Sequence, residues 1–177
     1  ASAVSFWNTV RPLKTSYLMR RAELAGNFEE WRGYAEKELE TKSHFSRENT
    51  IFLAEKFVKF DKANAFLADD ETKGLALKLA GALEESGRVE PLSLAYPVWS
   101  GQVYTILGER FDQAYFKNAE RVLLTARQIS PKKQEVLFLL GRLYLLERDF
   151  SKAIAAHRQA VELDETINQS HWFLGLA

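Results

Sequence analysis

Cysteine is absent from the 177 residues, and there are only four prolines, nine glycines and three histidines. Without cysteine there are no disulfides, no thiolate metal sites and no cysteine nucleophile, although that absence does not choose between compartments. No apolar run reaches the ~18 residues that suggest a membrane-spanning helix. An excess of one charge is lacking as well: 24 Lys and Arg face 24 Asp and Glu, for a formal net charge of zero. No global field therefore argues for nucleic acid or an anionic membrane as partner. The glycines are scattered and form no phosphate-cradling loop, and neither His-Glu-x-x-His nor Gly-x-Ser-x-Gly occurs.

Catalysis needs a convergent set of titratable groups, and the candidates here have plainer uses. His157 sits on the apolar stripe of a helix, where packing is its ordinary role; His44 lies in a turn-like stretch and His171 at a packing slot. Asp69, Asp70 and Glu71 are consecutive, so they point in different directions, and an acidic first helical turn accounts for them better than a metal does. Arg11, Lys14, Arg20 and Arg21 have no interleaved aromatic platform of the kind that single-stranded nucleic acid stacks on. The expectation is a chain with no catalytic residue, no metal and no cofactor.

What is present is helical periodicity. Hydrophobic residues make up 46% and charged residues 27%, enough in a chain of this length to bury a real core. In residues 134–167, Leu137, Leu140, Gly141 and Tyr144 recur at three- and four-residue steps. Ala153, His157 and Ala160 do the same after a polar break at Glu147, Arg148 and Asp149. The pattern predicts two amphipathic helices in an antiparallel pair, with Gly141 and Ala153 small where backbones approach. One such pair cannot bury its apolar side alone, so further copies are expected.

Counting 34 residues back from Ala153 and Ala160 reaches Ala119 and Ala126, and counting 34 on from Leu140 and Gly141 reaches Leu174 and Gly175. The signature Leu137, Leu140, Gly141, Tyr144, Ala153, Ala160, Leu174 and Gly175 resembles the tetratricopeptide repeat (TPR) family. Leu137 stands where that family prefers Trp, His157 where it prefers Phe, and Glu165 where it prefers Pro. The implied fold is all-α, an α-solenoid of antiparallel helix pairs with a degenerate N-terminal half.

The chain divides in this reading into a lead-in segment (1–11), a degenerate repeat region (12–90) and in-phase repeats (91–177) whose last unit is truncated. Helices are expected near 98–110, 114–129, 134–147, 150–163 and 168–177. In the degenerate region, residues 13–25 and 28–40 form a hairpin around Gly26 and Asn27, with Trp31 in an Ala slot. A long helix from about Ser46 carries Leu53, Phe57, Phe60, Asn64 and Leu67. Another starts at Asp69–Asp70–Glu71, carries Leu75, Ala76, Leu79, Ala80 and Leu83, and ends at Ser86 and Gly87. Pro91 and Pro97 disfavour helix in the residues before them and mark a boundary at 87–97.

In the TPR family the first helix of each pair lines a concave surface. The resemblance, in the 34-residue phase, puts Tyr104, Thr105, Gly108 and Phe111, then Phe138, Leu139, Arg142, Leu145 and Leu146, then Trp172 and Phe173 along it. The Lys and Asn of the family's carboxylate-gripping groove are missing, which disfavours an acidic C-terminal tail as ligand. Two readings of the apolar lining stay open. N-terminal helices fold back and make it core, the ordinary case because large exposed apolar patches are rare, or it receives an apolar or amphipathic protein segment, with Arg142 orienting it.

The layout as a whole is similar to the C-terminal tail of bacterial O-antigen ligase or polymerase-like membrane proteins. An apolar stretch at 1–7 precedes Asn8, Arg11 and Pro12, then come a degenerate hairpin, a helical insert and tidier repeats. That resemblance implies covalent continuity with an upstream membrane domain. It also implies a cytoplasmic-side location, since basic residues follow the apolar stretch; without it the expectation is cytoplasmic. A frayed end is the plainer account of residues 1–7. The chain starts without Met and stops inside a repeat, so a piece of a longer protein is expected.

Overall fold

The computed structural model describes residues 3–41 and 46–163. Among them the protein is all-α, with eight helices and no strand. These are α1 (Ala3–Leu24), α2 (Phe28–Glu40), α3 (Ser46–Lys62), α4 (Asp70–Val89), α5 (Ala95–Arg110), α6 (Phe116–Ile129), α7 (Gln134–Leu146) and α8 (Phe150–Leu163). A 3₁₀ turn, Gln113–Tyr115, joins α5 to α6.

Local chemistry explains most boundaries. Asn27 caps α2 by accepting a hydrogen bond from the Glu30 N–H at 2.9 Å, and Asp69 caps α4 by accepting from the Thr72 N–H at 2.7 Å. Each satisfies a donor that the first turn leaves without a helical partner. α3 closes at Asn64, whose φ of 50° lets the Ala65 N–H reach the Phe60 carbonyl at 2.9 Å. Asn tolerates this left-handed geometry better than most residues. α7 closes in the same way at Arg148, φ 60°, with the Asp149 N–H on the Tyr144 carbonyl at 2.9 Å.

Three expectations change. α1 starts at Ala3 and runs through Pro12, giving up one backbone hydrogen bond there, whereas the proline suggested a start after it. α3 ends before Asn64 and Leu67, and Leu67 is exposed; its buried stripe is Leu53, Ala54, Phe57 and Val58, continued by Asp61. α5 begins at Ala95, with Pro97 in the first turn, where a missing N–H breaks no helical bond. α4 packs closely along α5 across the 87–97 segment, and one core cluster runs from Ala22 to Ala156.

The hairpins share a plan with exchanged volumes. Counted from the turn, Ala22 and Trp31 of the first hairpin stand where the last has Tyr144 and Ala153; Met19 and Ala35 stand where it has Gly141 and His157. Large and small residues have traded sides, which keeps the space between the helices filled. Trp31 is fully buried and meets Phe28, Phe57 and Phe60 at ring distances of 5.6, 6.2 and 5.4 Å, with Phe66 stacked on Phe57 at 5.3 Å.

The exchange also places Glu38 where the last hairpin has Ala160, and Glu38 is only 1% exposed. Burial raises its carboxyl above the ordinary Glu range, partly offset by the Asn49 amide, which donates at 2.7 Å, and by Lys14. A folded-state pKa above the unfolded one means stability is greatest while Glu38 is protonated and falls as pH rises past the ordinary value near 4.5. Glu38→Gln, which keeps the Asn49 acceptor, is expected to melt a few degrees higher than the parent at pH 7 and level with it near pH 4. Thermal melts across that range check the sign.

Candidate functional site

α7 turns Val136, Leu137, Leu140, Gly141, Leu143 and Tyr144 inward. Its other side carries Phe138, Leu139, Arg142, Leu145 and Leu146, all half-buried. Phe138 lies 6.4 Å from the His157 ring, while Leu139, Leu145 and Leu146 border the core. Arg142 reaches Glu109 at 3.2 Å, each side chain about two-fifths exposed. Such a surface pair contributes roughly 0–1 kcal/mol, so Arg142 can exchange it for another acceptor. None of α1 to α4 packs against α7, so within the described residues the fold-back that would make this side core is not observed.

The α5 residues expected beside it lie elsewhere. Tyr104 is 8% exposed and its hydroxyl donates at 2.8 Å to Glu84 of α4. Burial first, then Glu84, pushes the phenol up to about 12. Phe111 caps the C-terminus of α5 and packs half-buried against the core. α5 is enclosed by α3, α4, α6 and α7, and Thr105 and Gly108 are buried with it. Tyr104 therefore belongs to the interior, not to an open lining.

A shift of register is the cause. A Cβ on Gly141 would meet the His157 ring at 2.3 Å, and one on Gly101 would meet Leu123 at 2.5 Å. Gly101 and Gly141 are thus the equivalent close approaches, each three residues before its tyrosine. The first helices repeat after 40 residues (141 − 101) and the second helices after 34 (153 − 119), the difference lying in the longer end of α5 and the 3₁₀ turn. In that register Phe138, Arg142 and Leu145 correspond to Val98, Gln102 and Thr105. Val98 and Thr105 are buried and Gln102 is half-buried.

A pair of tyrosine–carboxylate contacts was not anticipated. Tyr144 donates to Glu120 of α6 at 2.9 Å, as Tyr104 does to Glu84, and each carboxylate also holds a cation from the following helix, Lys152 at 3.2 Å and Arg121 at 2.9 Å. Burial, then Glu120, raises the Tyr144 phenol. Each contact ties the first helix of one hairpin to the second helix of the hairpin before. The available signal was local: Glu84 and Glu120 each follow a buried stripe residue, Leu83 and Ala119.

His157 is fully buried, which holds its pKa below the ordinary 6.5 and keeps it neutral at pH 7. Arg20 pairs with Glu23 at 2.7 Å, and Arg21 donates to Tyr34 at 2.9 Å. Trp172, Phe173, Leu174 and Gly175, like His44 and His171, lie outside the described residues. Among the described residues no group of three or more His, Cys, Asp or Glu could hold a metal ion, and no helix is long and apolar enough to cross a membrane. In comparisons with known proteins, no family model matches the chain and no curated protein matches it.

Proposed function

We propose that this protein is a noncatalytic α-solenoid of TPR-like hairpins whose α7 side docks an apolar or amphipathic segment of a protein partner. One observation carries the reading: among the described residues the main packing of each helix is on helices one or two along the chain, with α3 on α5, α5 on α7 and α2 on α4. Such nearest-neighbour packing is how helix-pair stacks are built. On α7 Phe138, Leu145 and Leu146 are half-buried beside Arg142, an apolar strip with one cation, suited to an amphipathic helix bearing a carboxylate.

The test is binding of a library of amphipathic peptides to the parent and to Phe138→Ala. Phe138 is half-buried, so its loss is expected to cost under about 2 kcal/mol, below the 3–5 typical of a buried Phe, while peptide binding disappears. A variant that unfolds would make Phe138 core, and a variant that binds as well as the parent would empty the proposal.

The second reading makes the domain an accessory tail of a membrane glycan ligase or polymerase. It is favoured by α1, which continues as helix from Ala3 through the apolar residues and Pro12. Upstream apolar spans of roughly 20 residues each in the reading frame would support it; further helical repeats there would support the free-standing scaffold.

A further inference from the structure

A cleft of about 260 Å³ lies between α4 and α6, over the first turns of α5 and away from the α7 strip. That is room for roughly eight waters at about 30 Å³ each. The repeat explains why it is there. Tyr104–Glu84 and Tyr144–Glu120 are equivalent bonds, so places can be matched by counting from them. Ser100 is four residues before Tyr104 and Leu140 is four before Tyr144; Gly87 is three after Glu84 and Leu123 is three after Glu120. Leu140 and Leu123, both 1% exposed, are the larger residues at those places one hairpin on. Here the smaller Ser100 and Gly87 line the cleft.

Its chemistry is specific. Ser100 is fully buried at the base of the cleft, and its hydroxyl has no hydrogen-bond partner in the protein. An interior hydroxyl left that way costs free energy that a ligand group can recover. Pro91, Pro97 and Val122 supply apolar walls. Arg88 and Arg121 stand at the rim with side chains 73% and 54% exposed, paired with Glu85 at 2.7 Å and Glu84 at 2.9 Å; such exposed pairs contribute little to stability and can be exchanged for a ligand carboxylate. The cleft thus has an apolar body, a polar group at its base and two exchangeable cations at its mouth.

We propose that the cleft binds a small hydroxyaryl carboxylate, with its ring between Pro91, Pro97 and Val122, its hydroxyl at Ser100 and its carboxylate at Arg88 and Arg121. This site is independent of peptide docking on α7, and Phe138→Ala is expected to leave it unchanged.

The probes are 3-(4-hydroxyphenyl)propionate, 3-phenylpropionate and 3-(4-hydroxyphenyl)propanamide, titrated calorimetrically into the whole chain. The hydroxy acid is expected to bind best, with each of the other two weaker by roughly tenfold for the missing hydrogen bond or charge. Ser100→Ala should erase the difference between the two acids, and Arg88→Gln combined with Arg121→Gln should erase the difference between acid and amide. Thr125→Trp, on the exposed wall where folding is not at stake, should abolish binding of all three. No binding of the hydroxy acid at millimolar concentration, equal binding of acid and amide to the parent, or binding that survives Thr125→Trp would each overturn the assignment.

Discussion

Trp31→Ala is expected to cost about 3–5 kcal/mol of folding free energy, the range for removing a fully buried large aromatic. Trp31 has no exposed surface, and its ring lies 5.4 to 6.2 Å from those of Phe28, Phe57 and Phe60. The deletion empties a space shared by α2 and α3. Its indole N–H has no protein partner, so the loss is one of packing and apolar burial, uncomplicated by a broken hydrogen bond. Ala153 stands at the matching place in the last hairpin, but Tyr144 opposite supplies the volume there; in the first hairpin Ala22 does not. The void therefore has no neighbour to close it. Urea denaturation followed by circular dichroism measures the cost, and a change below about 1 kcal/mol would mean that the site collapses or that the aromatic cluster is not assembled as described.

The same chemical change, glycine to alanine, should have opposite signs at two places. At Gly141 the new methyl would fall 2.3 to 2.7 Å from three atoms of the His157 ring, which is rigid and fully enclosed. Overpacking of this kind costs about 1–3 kcal/mol, more than the helix-propensity gain of up to about 1 kcal/mol. At Gly81, in the exposed middle of α4, a Cβ meets nothing within 4 Å. There the propensity gain stands alone, and Gly81→Ala should stabilise by about 0.5–1 kcal/mol. Adding His157→Ala to Gly141→Ala should recover part of the loss, because the clash is between those two residues and the cycle isolates it. If both glycine substitutions move the urea midpoint in the same direction, Gly141 is not at a close helix contact.

Much of this architecture could be read before any coordinates. Gly26 with Asn27, Asp69 with its acidic successors, and Asp149 are local stop and start signals, and the helices they delimit lie where the pattern put them. α6, α7 and α8 start and end within two residues of expectation. The burial of Leu75, Ala76, Leu79, Ala80 and Leu83 was equally legible, because a 3.6-residue repeat dictates which side chains share a side of the helix. Pro12 misled for the opposite reason: its local penalty is real, but the helix on either side outweighs it.

The composition and periodicity of the chain determined that it is helical, where most of its helices begin and end, and which side of most of them is apolar. Tertiary structure decided what each apolar side meets. Six extra residues, in the longer end of α5 and the connection after it, moved Tyr104 from an expected groove into the interior, and the contacts of Gly101 and Gly141 reveal the shift. Likewise Glu84 and Glu120 became partners of tyrosines, and the small Ser100 and Gly87 came to line a cleft. Periodicity reports the geometry of one helix, whereas the facing partner depends on the length of the connection between helices, which can change without disturbing the pattern on either side.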